Sequence, residues 1–238
     1  MENRPTTWNG VDIPFNASVA QLASLVHGPV PQRWAAFVAL AHTPGQPALT
    51  ILADSARSTD PHVRRAAVEA IGIHADGHRL GALICSLVSD TYDFVARSAC
   101  EAAARHRVTA AHDAIVQLLD ATPEASCVAA LQSLPALWQD ADFERVLHAY
   151  STARSATVRR EAAWTLRSTE SRATWPRLFA LWCDDTLPRH RQWACELAAK
   201  YGSHDVRETL ERLTHDVDGH VRATAARAIA AIEARENP

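Results

Sequence analysis

The stretch DPHVRRAAVEAIGIH, residues 60–74, returns along the chain as YDFVARSACEAAARH (92–106), SATVRREAAWTLRS (155–168) and DGHVRATAARAIAAI (218–232). Within it, positions 63, 67, 70, 71 and 74 share one face of an α-helix. A small residue sits at the centre of each copy. Ala35, Ala67, Ala99, Ala130, Ala162, Ala194 and Ala225 are spaced by 32, 32, 31, 32, 32 and 31 residues. A small side chain at that point lets neighbouring helices approach to about 8–10 Å. One helix written many times at a fixed period means an array in which each unit buries its apolar face on the next.

Between these helices lies a second apolar pattern with i, i+3, i+4 spacing. It shows in LGALICSLV (80–88), AIVQLL (114–119), FERVLHAY (143–150), WPRLFALW (175–182) and VRETLERL (206–213). Asp60-Pro61, Asp76-Gly77, Thr122-Pro123, Leu187-Pro188 and Asp218-Gly219 supply cap and turn chemistry at the joints. No stretch alternates with period two. The sequence predicts an all-α chain: a polar lead over residues 1–15, then one domain over 16–238 made of about seven helix pairs.

Composition agrees with a folded chain: of 238 residues, 47% are hydrophobic and 21% charged. There is no run of 18 apolar residues to span a membrane. The opening MENRPTTWNG has no basic segment followed by an apolar core, so no secretory signal is expected. A net charge of −3 gives no global attraction to nucleic acid or to an anionic membrane. Cys85, Cys100, Cys127, Cys183 and Cys195 are odd in number and show no CxxC spacing. Reduced, mostly buried thiols in a cytoplasmic protein are expected, with neither a disulfide framework nor a zinc site.

The pattern Asp-x-x-Val-Arg-x-x-Ala-x-x-Ala-Ile-Gly, carried by DPHVRRAAVEAIG, resembles the short bacterial HEAT-like repeats of the phycobilisome-lyase type. The resemblance covers about residues 30–235. It implies a right-handed α-solenoid in which the Val-Arg helix lines the concave side and its Arg ties neighbouring repeats. That role would fall to Arg64, Arg159, Arg191 and Arg222. The family hosts bilin lyases, metal-dependent hydroxylases, DNA glycosylases and plain adaptors, so the fold does not choose among them. The hydroxylases use His-Glu pairs, and none occurs here. REAAWTLRS (160–168) is similar to part of the alkylpurine glycosylases. Their preceding Arg is replaced here by Cys127 and Val128, and no catalytic Asp can be matched.

Other features compete with bland explanations. His42, His74 and His106 stand 32 apart, seven residues after their anchors. Two of them could share an ion, whereas three on helices about 8–10 Å apart could not. The alternative is that each closes a helix, where a partly positive imidazole suits the dipole. HDVDGH (215–220) has the look of a calcium loop but lacks its terminal Glu and falls where a turn is predicted. The position two after the anchor is mostly polar, which marks a solvated face, and Trp164 occupies it in copy five. Trp34 and Trp193 precede their anchors by one.

Arg33, Arg65, Arg97 and Arg160 form a basic stripe two before the anchor, partly neutralised by Arg65–Glu69 and Arg97–Glu101 pairing. No catalytic signature stands out. The expected function is a non-enzymatic scaffold that needs neither cofactor nor metal and holds a protein or peptide in its groove. Trp34, Arg65, Arg97, Gln132, Arg160, Trp164 and Trp193 are the candidate contacts; nucleic-acid binding, alkylpurine glycosylase and bilin-lyase activity are the alternatives. Copies three and four carry Ala96 and Cys127 where the tying Arg is expected, and Pro135 ends a helix early. The junction over 90–140 is therefore predicted to have lost its ties and to open most easily.

Overall fold

The computed structural model describes residues 7, 8, 10–121 and 123–236. The described chain contains fourteen α-helices arranged as seven pairs, a helical-repeat fold of the α-solenoid type. They pack as two compact units, residues 7–165 and 166–236, with the boundary in the last turn of α10.

In the first unit the pairs are α1 (Val19–Leu25) with α2 (Val30–Ala41), α3 (Gln46–Ser55) with α4 (Pro61–Ile73), and α5 (Gly81–Val88) with α6 (Asp93–His106). They continue with α7 (His112–Gln117) and α8 (Glu124–Ser133), then α9 (Asp142–Thr152) and α10 (Ala156–Ser168). The second helices form a continuous layer, α2 on α4, α4 on α6 and α6 on α8. The second unit holds α11 (Trp175–Trp182) with α12 (Pro188–Tyr201), and α13 (Arg207–Leu213) with α14 (Gly219–Glu236). There α14 packs on α12.

Local chemistry sets the helix ends. Ser18 and Gln21 close a capping box on α1. Asp60 accepts from the His62 N–H at 2.9 Å, and Pro61 fills the first helical position of α4, where no donor is needed. Pro135 lies in a 3₁₀ turn, Leu134–Ala136, so α8 stops at Ser133 as its sequence predicts. All seven anchor alanines are at most 1% exposed. Around them Leu40, Leu52, Ile71, Ile84, Ile115 and Leu131 are fully buried, each contributing roughly 2 kcal/mol.

The lead departs from helix. Thr7–Trp8 pairs antiparallel with Val11–Asp12, and Gly10, at φ 77°, makes the turn that only glycine takes without strain. Residues 1–6 of the predicted lead lie outside the described residues.

Candidate partner-binding face

The second helices carry the residues singled out from the sequence, and the first question is which are occupied in holding the array. Arg64 is. Its Nε and Nη2 meet Asp90 Oδ2 and Oδ1 at 2.7 and 2.9 Å, while Nη1 donates to the Ser58 and Thr59 carbonyls. Asp90 also accepts from the Tyr92 N–H, so one carboxylate shapes the loop before α6 and receives an Arg from the previous pair. The Asp90 hydrogen bond raises the Arg64 pKa. Burial works against ionised Asp90, but the Arg64 and Tyr92 hydrogen bonds prevail and hold it below the usual carboxylate range. Arg191 repeats the arrangement on Asp216 at 2.6 and 2.8 Å, with the Asp185 and Thr186 carbonyls in place of Ser58 and Thr59. Arg222 donates to the Asp216 and Val217 carbonyls. The Arg159 guanidinium lies over the Tyr150 ring, 5.1 Å from its centre.

Arg33 belongs with these residues and not with an open basic stripe. It donates to the Gly28 carbonyl and, at 3.2 Å, to Asp60 Oδ2. The first copy is thus shifted by one residue from the alignment drawn on Ala35. Ala35 and Ala36 are both small and both buried, so the anchor alone could not fix the register.

The histidine ladder is structural. His74 Nδ1 accepts from the Asp76 N–H at 3.0 Å, which leaves Nε2 to donate to the Thr43 carbonyl of the preceding pair at 2.8 Å. A neutral ring is fully used by these two bonds. His106 Nε2 lies 2.8 Å from the Ile71 carbonyl, again one pair back, and the His42 ring meets Phe15 edge-on. A Cβ at Gly77 would overlap both the Ile71 oxygen and the His106 ring, so that close approach requires glycine. HDVDGH is a turn whose Asp216 is held by Arg191. No three His, Cys, Asp or Glu side chains among the described residues are placed to share a metal ion.

Bonds other than the Arg tie join the fourth pair to the fifth. His112 at the start of α7 lies 2.9 Å from both carboxylate oxygens of Asp142, at the start of α9, and both residues are buried. Thr165 donates to the Leu131 carbonyl across α8 and α10 at 2.8 Å, and Arg145 reaches Asp120 at 3.0 Å. His112 and Asp142 stand 30 residues apart, close to one repeat length, and that spacing was the available signal.

What remains open is the solvent side of the second helices in the first unit. Arg65 bonds Glu69 at 2.7 Å, and Glu69 also accepts from Ser98. Arg97 pairs with Asp93 at 3.5 Å, not with Glu101 as its spacing suggested. Gln132 Nε2 donates to Glu161, which also takes Arg160. Each candidate Arg of the stripe therefore faces a carboxylate. Between α6, α8 and α10 lies an open trough of about 400 Å³. Ala125, Val128 and Ala129 line it together with Arg97, Glu101, Glu124, Gln132 and Thr157. On α10, Trp164 is 54% exposed, as its position predicts. Trp34 is half-buried beside Phe37, Val38 and Ile73.

Trp193 corrects the sequence reading. It is 7% exposed and packs on Trp182 and His190, at ring-centre distances of 5.5 and 5.2 Å, so it is core and not contact surface. Repeat position does not distinguish it from Trp34; the local partners do. The five thiols are unpaired, and burial pushes the Cys100 and Cys195 thiols up to about 12, which leaves them inert. No helix among the described residues is long and apolar enough to cross a membrane.

The family model for HEAT repeats matches residues 143–230. Among solved structures, the archaeal HEAT-like repeats protein from Thermococcus onnurineus NA1 is similar at TM-score 0.59 and 13% identity, over 92% of this chain and 98% of that one. The complex of CpcE and CpcF of phycocyanin lyase from Nostoc sp. PCC7120 is similar at TM-score 0.58 and 14% identity, over 99% and 92%. An engineered protein gives TM-score 0.58 at 18% identity, over 90% and 68%. No curated protein matches the chain. These likenesses establish a HEAT-like repeat fold.

Proposed function

We propose that the chain is a non-catalytic scaffold that holds a segment of another protein against the second helices of its first unit, in the bacterial cytoplasm. The observation that carries this reading is the trough between α6, α8 and α10. It is lined by small apolar side chains and by polar groups of both signs, a pattern suited to a peptide backbone with mixed side chains. Trp164, half exposed on the adjoining helix, supplies the kind of aromatic that concentrates binding energy. Nucleic acid suits this face less well, because Arg65, Arg97 and Arg160 are each matched by a carboxylate.

The test compares wild type with Val128→Arg, which fills the trough, and Trp164→Ala, in recovery of partners from native cells identified by mass spectrometry. A partner recovered with wild type and lost with both variants supports the reading. Equal recovery with all three overturns it. Binding to a DNA duplex at about 50 mM salt that weakens steeply on salt addition would favour the nucleic-acid alternative. New visible absorbance on mixing with a linear tetrapyrrole would favour the bilin alternative.

A further inference from the structure

We infer that His112 is a protonation latch: its imidazolium, clamped between Asp113 and Asp142, fastens α7 to α9, and loss of its proton weakens that fastening from an ion pair to a single neutral hydrogen bond.

Holding both carboxylates at once requires the charged form. Nδ1 lies 2.9 Å from Asp113 Oδ1, and Nε2 lies 2.9 Å from both oxygens of Asp142. A neutral imidazole has one N–H and one lone pair, so one of these contacts would set a lone pair against a carboxylate. Only the imidazolium donates at both ends. The two ends are not equivalent. Asp142 is buried and fixed by the Gln139 N–H at 2.9 Å, whereas the Asp113 side chain is 94% exposed and can turn away.

The surroundings supply no competing cation. Asp113 on its own helix and Asp142 on α9 are the charges that act on the ring. Of the elements packed on α7, the 3₁₀ turn Leu118–Asp120 carries Asp120, already bonded to Arg145 of α9. Helix α8 carries Glu124, bonded to Ser155, and the Cys127 thiol, while α5 carries only the Cys85 thiol, which donates to the Ala110 carbonyl. The 3₁₀ turns Thr109–Ala111 and Leu134–Ala136 bring no ionisable side chain. Burial and the start of a helix both oppose a positive charge at this point. Hydrogen bonding to Asp142 and Asp113 outweighs burial, and the pKa stands above its ordinary value. A raised histidine stabilises the fold fully below the unfolded value of about 6.5 and loses that contribution as pH rises through the folded value.

The position gives the latch its consequence. Copies three and four lack the Arg tie, so the His112–Asp142 pair is a principal polar fastening between these two first helices.

Hydrogen exchange on the intact chain at pH 5.5 and 8.5, corrected for intrinsic rates, tests the inference. Protection over 112–117 and 142–150, divided by that over 61–73, should be lower at pH 8.5 than at pH 5.5. In His112→Gln, which cannot ionise, the ratio should be flat. A constant ratio in wild type, or an equal fall in the variant, overturns the latch. Should His112→Gln fail to fold, the NMR titration of the His112 ring in wild type and in Asp113→Asn decides. A midpoint above about 6.5 that drops in Asp113→Asn supports the inference, and a midpoint at or below about 6.5 refutes it.

Discussion

Arg64 and Asp90, 26 residues apart, meet in a two-pronged ion pair whose side chains are 14% and 8% exposed. The planar guanidinium matches the carboxylate, and neither group has much water to fall back on. Asp90→Ala should therefore cost about 3 kcal/mol in urea unfolding, the usual penalty for stranding one member of a buried pair. Arg64→Lys should recover only part of that, because a point charge cannot bond both oxygens. Arg160→Ala, by contrast, should change stability by less than about 0.5 kcal/mol.

Acid should attack the same ties. The Arg191 hydrogen bond, foremost, holds Asp216 below the usual carboxylate range, and Asp90 is also lowered. A lowered carboxylate stabilises the fold fully above the unfolded value of about 4 and loses that contribution as pH falls through the folded value. Thermal midpoints should decline below about pH 4, and Asp216→Asn should flatten part of that decline. An unchanged acid limb in that variant would count against the assignment.

Gly77→Ala should be among the costlier glycine substitutions. The added methyl would collide with the Ile71 carbonyl and the His106 ring, which are bonded to each other. A loss of about 1–3 kcal/mol is expected from overpacking, read from the melting temperature. Gly10→Ala meets no neighbouring atom, and its cost should be confined to backbone strain at positive φ.

The tryptophans should separate cleanly. Trp193→Ala, in the Trp182–His190 cluster, should cost about 3–5 kcal/mol. Trp164→Ala should cost less than about 1 kcal/mol while weakening partner capture. Equal destabilisation by the two would mean that Trp164 is core as well.

The repeat was legible because close helix packing demands a small residue at each crossing, and Ala67, Ala99 and Ala130 supply it at a regular interval. The ties at Arg64 and Arg191 followed from the family pattern. Three things were not legible. The shift at Arg33 was hidden because two adjacent alanines satisfy the same packing. The burial of Trp193 depends on Trp182 and His190, residues whose positions in the repeat say nothing about mutual stacking. The His112–Asp142 pair left only its 30-residue spacing as a sign, and that was masked because it joins first helices, whereas the recurring signal lies in the second ones. Of the candidate face, Arg97 and Gln132 do line one trough, but the charge on the Arg stripe is cancelled by partners such as Asp93, which no spacing rule singled out.

The reach of the ties bears on how such a chain can change its length. Arg64 finds Asp90 at 26 residues, His74 finds Thr43 at 31, and His106 finds Ile71 at 35. Each is made with the adjoining copy. Duplication of the whole copy-length stretch that carries Arg64 and Asp90 would thus give each guanidinium a carboxylate at the same reach. A single-residue insertion between Ser58 and Arg64 enjoys no such tolerance, since it moves the guanidinium off both carbonyls at once. The array is elastic in steps of one copy and brittle to anything smaller.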